Sequence, residues 1–316
     1  MSANSTGGMP WESAYHAPVL AREVVELLGN ARHVLDGTLG GGGHAAALLD
    51  RGVRVTAIDR DPAAVASASD RLRPHIERGR LRVFEGNFAA TGEIPEIAGE
   101  RFDGILLDLG VSSHQFDDED RGFTFRRGAP LDMRMGSDAE RTAAQFLNEV
   151  GQEELTALLR QHADEPRSHR MAGEIVRRRR NERFATSDDL VGAIRAVLGP
   201  TAGPADFARI FQAIRIAVND EIAGLERALP ALRDLLEPAG VLAVIAYHSG
   251  EDRVVKHAFQ EWSRSCVCPP RQPMCTCRGR ALGTTLTRKP VMAAEDEITA
   301  NSRARSAHLR AWRSAA

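Results

Sequence analysis

The sequence predicts an α/β fold in which a mostly parallel, Rossmann-like sheet is interrupted by an all-helical insertion. Short β-branched and leucine-rich segments alternate with helical or loop segments over residues 33–109. This alternation is typical of a parallel sheet that helices cover on both faces. The strand signal disappears from about residue 137 to residue 204 and returns at Gly240. The sheet therefore resumes after the insertion.

Each predicted element rests on hydrophobic spacing and on the turn residues that flank it. The predicted strands are 33–36, 53–59, 81–84, 103–109 and 240–247, with 307–313 as a last edge strand. The predicted helices are 18–28 before the first strand, 139–150, 153–162, 168–183 and 187–198 in the insertion, and one long helix from 205 to about 236. We expect residues 1–15 to form a flexible leader, residues 16–136 and 205–316 to form the main domain, and residues 137–204 to form the inserted domain.

Composition and charge exclude several classes of protein. The formal net charge is only −2, so any nucleic-acid-binding surface must be local. Arg177–Arg180 is one such basic run, although a solvated helix face explains a charge run equally well. The chain has no run of about 18 apolar residues and no apolar stretch near its start, so we expect neither a membrane protein nor a secreted one. All four cysteines lie between Cys266 and Cys277, which fits a reducing cytoplasm.

The strongest local signal is a glycine-rich turn, Asp36-Gly-Thr-Leu-Gly-Gly-Gly-Gly-His44, directly after the first strand. Such a turn lets the backbone approach a ligand, and Asp59 at the end of the second strand can accept the hydroxyls of a ribose. The spacing Gly40, Gly42, Ala45 also matches a dinucleotide fingerprint, so a nicotinamide or flavin enzyme stays open, as does a purely structural turn. Asp36 would repel a pyrophosphate, whereas it would attract the cationic S-adenosylmethionine. It therefore favours the methyl donor.

Two further strand ends carry polar side chains. Asp108 would lie at the same sheet edge, where it could bind the amino group of the donor or the amine of an acceptor, or merely cap a loop. His248 follows a later strand and fits either core packing or an active site. Ser249 and Asp252 have the spacing of an S-x-x-D cap for the next helix.

Nine motifs occur in order along the chain: His16–Leu20, Asp36–His44, Asp59–Pro62, Asp103–Ser113, Arg121–Phe125, Pro130–Met135, Phe211–Glu221, His248–Arg253 and Asn301–Arg310. Together they resemble the ribosomal RNA small subunit methyltransferase H family from about residue 16 to residue 313. The resemblance implies a class I S-adenosylmethionine-dependent methyltransferase with an inserted helical domain that recognises the substrate. It also implies methylation of N4 of a cytidine in the decoding region of 16S ribosomal RNA, with that RNA or the small ribosomal subunit as partner, in the cytoplasm.

The resemblance also implies roles for individual residues. Gly42, Gly43 and His44 would bind the donor, with Asp59 on the ribose, Phe88 beside the adenine, and Asp108 and Gln115 near the methionine end. The chemistry of amine methylation adds catalytic candidates to these donor residues. An acceptor for one amine hydrogen would orient the nitrogen, and Asp108 is the first candidate, with Asn219 or His248 as helper. Phe123 and Phe125 are available to pack against the flipped base. The chain has Tyr247 and Gly250 where the family usually has phenylalanine and leucine. A non-catalytic ribosome-assembly factor and a nicotinamide-dependent oxidoreductase are the rival functions.

The cysteines form two C-x-C pairs, Cys266–Cys268 and Cys275–Cys277, separated by six residues. Four thiolates in this arrangement could surround one zinc ion. Free thiols, or a disulfide under oxidation, fit the spacing equally well. We therefore predict no metal ligand from the sequence alone.

Overall fold

The computed structural model describes residues 18–112, 115–116, 118–269, 272 and 274–316. The predicted leader, residues 1–15, lies outside the described residues. The chain forms two compact units. The sheet unit contains the described residues up to Gly110 together with Gly224–Ala316, and the helical unit is Val111–Ala223.

The sheet unit is built on seven strands within the described residues, in the order β3-β2-β1-β4-β5-β7-β6. The strands are β1 (His33–Asp36), β2 (Arg54–Asp59), β3 (Leu81–Glu85), β4 (Phe102–Asp108), β5 (Leu236–Ala246), β6 (Gly283–Thr285) and β7 (His308–Ser314). Strands β1 to β5 pair in parallel, whereas β7 is antiparallel to both β5 and β6. This arrangement confirms the predicted Rossmann-like, mostly parallel sheet.

The last predicted strand was wrong in one respect, because β7 is not an edge strand. The unpredicted β6 pairs with its outer side through Thr284 and Arg313. A three-residue strand, Gly283–Thr285, is too short to show an alternating pattern in the sequence.

The helices within the described residues are, in order, α1 (Ala21–Leu28), α2 (Gly43–Asp50), α3 (Pro62–Arg71), α4 (Arg73–Glu77), α5 (Ala143–Glu149), α6 (Gln152–His162), α7 (Ser168–Arg179), α8 (Ser187–Leu198), α9 (Pro204–Asn219), α10 (Glu221–Asp234), α11 (Ser249–Trp262) and α12 (Glu295–Ala300). Short 3-10 helices occupy Phe88–Glu93, Glu119–Arg121 and Ser302–Ser306. None of the helices in the described part of the chain is long and apolar enough to cross a membrane.

Both faces of the sheet are buried, which explains the near-continuous apolar runs in its strands. Val34 belongs to one hydrophobic cluster and Leu35 to another. The same alternation continues along β5, where Ala243 joins the first cluster and Leu242 the second. Successive side chains of a strand point to opposite faces, so each face contacts its own layer of helices.

The helical unit has a hydrophobic core of its own. Residues from α5 to α9 form most of it, among them Phe146, Leu155, Met171 and Ile194, and residues between 123 and 135 complete it. Helix α9 contributes Ile210 to the same cluster, so the compact unit extends beyond the predicted insertion at 137–204. That insertion lies wholly inside the helical unit.

The single long helix predicted from residue 205 to about 236 was wrong. It is two helices, α9 and α10, which meet at Asp220. Asp220 has a φ of 52° and ends α9 in the left-handed region. Aspartate is one of the few residues other than glycine that enters this region readily, and apolar spacing on either side does not reveal it.

Candidate active site

Three aspartates end parallel strands of the sheet unit. Asp36 is the last residue of β1, Asp59 of β2 and Asp108 of β4. Because β1 pairs with β2 on one side and with β4 on the other, all three lie at the carboxyl edge of the sheet. Tyr247 and His248 follow β5 at this edge. Ligands of open parallel sheets bind at this edge.

The glycine-rich turn joins β1 to α2 at the same edge. Gly40 and Gly42 have φ values of 50° and 75°, which side chains disfavour. A Cβ at Gly42 would also lie 2.9 Å from Leu72 and 3.0 Å from Arg71. Packing therefore explains part of the requirement for glycine at position 42. A Cβ added to Gly40, by contrast, would have no atom nearer than the Thr38 carbonyl oxygen at 4.0 Å.

Asp36 is buried, with 1% of its surface exposed. Its Oδ1 accepts a hydrogen bond from the Thr38 amide at 3.1 Å, whereas Oδ2 has no partner among the described residues. Burial raises the pKa of Asp36 to about 6, against the opposing charge of His44. The turn therefore encloses a carboxylate that a cation would stabilise.

Asp59 ties the end of β2 to the glycine turn. Its Oδ2 accepts from the Gly40 amide at 2.7 Å, and its Oδ1 accepts from the Asp61 amide at 2.9 Å. Burial raises the pKa of Asp59 although both amides favour the ionised form. Each carboxylate oxygen can accept a second hydrogen bond, so a ribose hydroxyl still finds acceptors here.

Asp108 has three polar neighbours, one at its backbone amide and two at its carboxylate. Its amide donates to Thr38 Oγ1 at 2.6 Å, and the Tyr247 hydroxyl donates to its Oδ1 at 2.9 Å. The His44 Nε2 lies 3.4 Å from its Oδ2. Burial opposes the charged form of His44, but the nearby carboxylate of Asp108 outweighs it and raises the His44 pKa. Burial and the charge of Asp108 raise the pKa of Tyr247 well above its usual value, so the phenol stays a donor.

His248 is the N-cap residue of α11. Its Nδ1 accepts from the amides of Gly250 at 3.2 Å and Glu251 at 3.4 Å, while Glu251 accepts from the His248 amide at 3.3 Å. The predicted cap by Ser249 and Asp252 was therefore wrong. Asp252 instead pairs with Arg310 through bonds of 2.6 and 2.9 Å.

The cap uses only one ring nitrogen of His248, so the other, Nε2, can still interact with a ligand. Because Nδ1 accepts hydrogen bonds, the proton of the neutral ring lies on Nε2. This Nε2 is 3.3 Å from Glu251 Oε1, in a buried position without a hydrogen bond among the described residues.

Gln115 and Asn219 belong to the helical unit, and both are buried there. Gln115 donates from Nε2 to the Met135 carbonyl at 3.0 Å. Asn219 accepts from the Met135 amide at 2.8 Å and donates to the Met133 carbonyl at 2.7 Å. Their amide groups therefore hold the backbone of residues 133–135.

The aromatic residues singled out from the sequence have different surroundings. Phe88 is half-buried at the start of its 3-10 helix. It lies beside the glycine-rich turn, since a Cβ added to Gly37 would be 3.3 Å from the Cβ of Phe88. Phe123 is buried in the core of the helical unit, which leaves its ring little surface for a base. Phe125 is 36% exposed and packs edge-on against Phe207.

The basic run of α7 is only partly free for a ligand. Arg177 and Arg178 both pair with Glu174, whose pKa falls to about 2, first through the hydrogen bond from Arg177. Arg179 donates to the carbonyls of Leu147 at 2.8 Å and Val150 at 2.7 Å. These bonds stabilise the end of α5, whereas Arg180 is exposed.

Sequence reasoning did not identify Thr38, Tyr247 and Glu251 as parts of this edge. Tyr247 stands out in the sequence only as a departure from the usual phenylalanine. Its partner Asp108 is 139 residues away, and no local pattern connects the two. The sequence did contain a signal for Glu251, because a glutamate at the third helical position is half of a capping box.

The model of the MraW methylase family matches residues 13–315. The chain belongs to the MraW methylase family. A relative from Gemmatimonas aurantiaca is 67% identical, with 95% of this chain and 96% of the relative covered. A relative from Heliobacterium mobile is 45% identical, with 94% and 97% covered. Both are named ribosomal RNA small subunit methyltransferase H.

Family membership confirms the resemblance inferred from the nine motifs. As a member of the MraW methylase family, the chain is a methyltransferase, and neither rival function describes it. The three strand-end aspartates, the glycine turn and His248 are the features of this methylase that its sheet unit brings to one edge.

Proposed function

We propose that this methylase transfers a methyl group from S-adenosylmethionine to the exocyclic N4 amine of a cytidine in the decoding region of 16S ribosomal RNA. The small-subunit RNA in the names of its relatives supports the class of substrate. The observation that carries the chemistry is the carboxylate of Asp108, which Tyr247 and His44 contact beside the glycine turn.

The residues of the sheet edge fit a cationic methyl donor. S-adenosylmethionine supplies, when bound, an electrophilic methyl group on a positively charged sulfonium. The buried Asp36 has an oxygen without a partner among the described residues, and the carboxylates of Asp59 and Asp108 end the flanking strands. A phosphate-bearing cofactor would be repelled by these charges. Asp36 and Asp108 are therefore suited to the charged end of the donor.

Separate residues are proposed for the remaining parts of the donor. Asp59 would accept the ribose hydroxyls, because both of its oxygens keep acceptor capacity. Phe88 would flank the adenine, and Gly42, Gly43 and His44 would line the turn. Gln115 would lie near the methionine end. These assignments follow from the family motifs.

Asp108 is proposed to orient the reacting amine. An acceptor beside one amine hydrogen turns the nitrogen lone pair out of conjugation with the ring and disperses the positive charge that develops on the nitrogen. Tyr247 donates to one oxygen of this carboxylate and His44 lies beside the other, so little reorganisation is needed during the reaction. We propose His248 Nε2 as a helper, and we propose that Asn219 acts by positioning residues 133–135.

Residues 137–204 of the helical unit are proposed to recognise the RNA. Arg177, Arg180 and Arg183 are exposed there and can contact phosphates. Recognition of this kind gives affinity without base specificity, so the cytidine itself must be selected by its pocket. We propose the cytoplasm as the compartment, since ribosomal subunits assemble there.

The proposal is tested on small ribosomal subunits from a bacterial strain that lacks its own relative of this methylase. The subunits are incubated with the purified chain and isotopically labelled S-adenosylmethionine, and the modified nucleoside is identified by mass spectrometry and mapped. We expect N4-methylcytidine at one position in the decoding region. Label on carbon 5 of the base, on a ribose, or at scattered positions would overturn the proposal. Subunits incubated with labelled S-adenosylmethionine but without the methylase serve as the control.

A further inference from the structure

The four cysteines converge in the segment between α11 and β6. This segment, residues 263–282, contains no helix or strand among its described residues. Cys266, Cys268, Cys275 and Cys277 are the only cysteines of the chain, and all four are free. Their sulfur atoms all lie within 4.8 Å of one another.

The sulfur–sulfur distances have the size of a tetrahedral metal site. Cys275 Sγ lies 3.8 Å from Cys266 Sγ, 3.8 Å from Cys268 Sγ and 3.5 Å from Cys277 Sγ. Cys277 Sγ lies 3.9 Å from Cys266 Sγ. Four sulfurs around Zn²⁺, with Zn–S bonds of about 2.3 Å, are separated by about 3.8 Å along each tetrahedral edge. We propose that these four cysteines bind one structural Zn²⁺ ion as a tetrathiolate.

Backbone amides around the cluster favour thiolates. The Val267 amide donates to Cys277 Sγ at 3.3 Å, and the Thr276 amide hydrogen-bonds to Cys268. Zinc binds the thiolate form, so such donors lower the cost of ionising the ligands.

The geometry distinguishes a metal site from the two alternatives that the spacing left open. A disulfide joins sulfurs in pairs at about 2.05 Å, whereas Cys275 has three sulfur neighbours at nearly equal distances. Unligated thiols would need apolar packing to be held together. The segment provides little, because Met274 is 75% exposed and Val267 is 38% exposed. A metal ion supplies the missing cross-link.

One end of the segment is fixed to α11. Arg278 donates from Nη1 to Glu261 Oε1 at 2.6 Å and from Nη2 to the Arg264 carbonyl at 3.1 Å. The ion would join the two C-x-C pairs just before this anchor. Its role is therefore to hold the segment folded against the end of α11, away from the methyl-transfer edge at the start of that helix.

The first test measures the metal content of the full, untagged chain, expressed with zinc in the medium and purified without chelator. Elemental analysis should give about one zinc per chain. The variant with all four cysteines replaced by serine should retain almost none, and Met274→Ser, in the same segment, should retain about one. Zinc below about 0.2 per chain in the parent protein, with four freely reacting thiols, would overturn the proposal.

A second test does not depend on the folding of a variant. The parent chain is stripped of metal by a chelator and titrated with Co²⁺, whose absorption reports its coordination geometry. We expect the intense visible bands of tetrahedral cobalt, sulfur-to-cobalt charge transfer in the near ultraviolet, saturation at one equivalent, and loss of both on adding Zn²⁺. Weak octahedral bands without charge transfer, or iron in place of zinc in the purified protein, would refute the assignment.

Discussion

Replacing Asp36 with asparagine should stabilise the ligand-free protein at neutral pH while weakening donor binding. The pKa of Asp36 is raised by burial from 3.8 to about 6, a difference of about two units. At about 1.4 kcal/mol per unit, ionising this carboxylate destabilises the folded chain by about 3 kcal/mol at pH 8. Asparagine keeps the oxygen that accepts from Thr38 and removes the charge.

The sign of the pH dependence follows from which state binds the proton more tightly. The folded protein binds it more tightly than the unfolded chain, so the parent protein gains stability as pH falls from about 7 toward 4. The penalty of about 3 kcal/mol at pH 8 should shrink to about half by pH 5. The asparagine variant has no such group at this position. The difference between the two proteins should therefore decrease as the pH falls.

Urea unfolding of both proteins, followed at several pH values between about 5 and 8, measures this difference. The asparagine variant buries an uncharged NH₂ group, and the free-energy cost of burying that group is the same at every pH. The change with pH is thus the diagnostic quantity. Asp50→Asn, on the exposed end of α2, is the matched control and should not show it. A difference between parent and Asp36→Asn that stays constant with pH would refute the burial argument.

Three further predictions concern the donor, the acceptor and the RNA. Asp59→Ala should weaken S-adenosylmethionine binding by about 1.5 to 3 kcal/mol, and calorimetry that shows unchanged affinity in a folded variant would reject the ribose role. Asp108→Asn should lower single-turnover methyl transfer at least about 100-fold while donor affinity changes less, and an equal collapse of affinity would limit Asp108 to donor binding. Joint replacement of Arg177 and Arg180 by glutamine should weaken RNA binding and flatten its salt dependence, whereas an unchanged slope would make these arginines a solvated surface.

The accuracy of the predicted elements depended on local signals. Strand β1 and helix α8 were predicted with their observed bounds, because turn residues flank the strand and Gly199 and Pro200 follow the helix. The break at Asp220 and the short strand β6 were missed. The break depends on the backbone conformation of Asp220 alone, and β6 depends on pairing with β7, more than 20 residues later.

The part of the candidate site that could be predicted is the part that the parallel strands bring together at their ends. Parallel strands bring their carboxyl ends to one edge, so Asp36, Asp59 and Asp108 could be grouped from the sequence pattern. The hydrogen bond from Tyr247 to Asp108 could not be predicted in this way, because it depends on how side chains of neighbouring strands pack. The assignment of roles within the group stays a prediction.

His248 has two possible roles, and one pair of substitutions separates them. Its Nδ1 caps α11, and only Nε2 is available for chemistry. Asparagine is a good N-cap residue, so His248→Asn should preserve the stability of the helix, whereas His248→Ala should cost about 1 kcal/mol. If Nε2 assists methyl transfer, the asparagine variant should lose turnover at least about 10-fold with unchanged donor affinity. Normal turnover in a stable His248→Asn protein would show that this histidine serves the helix alone.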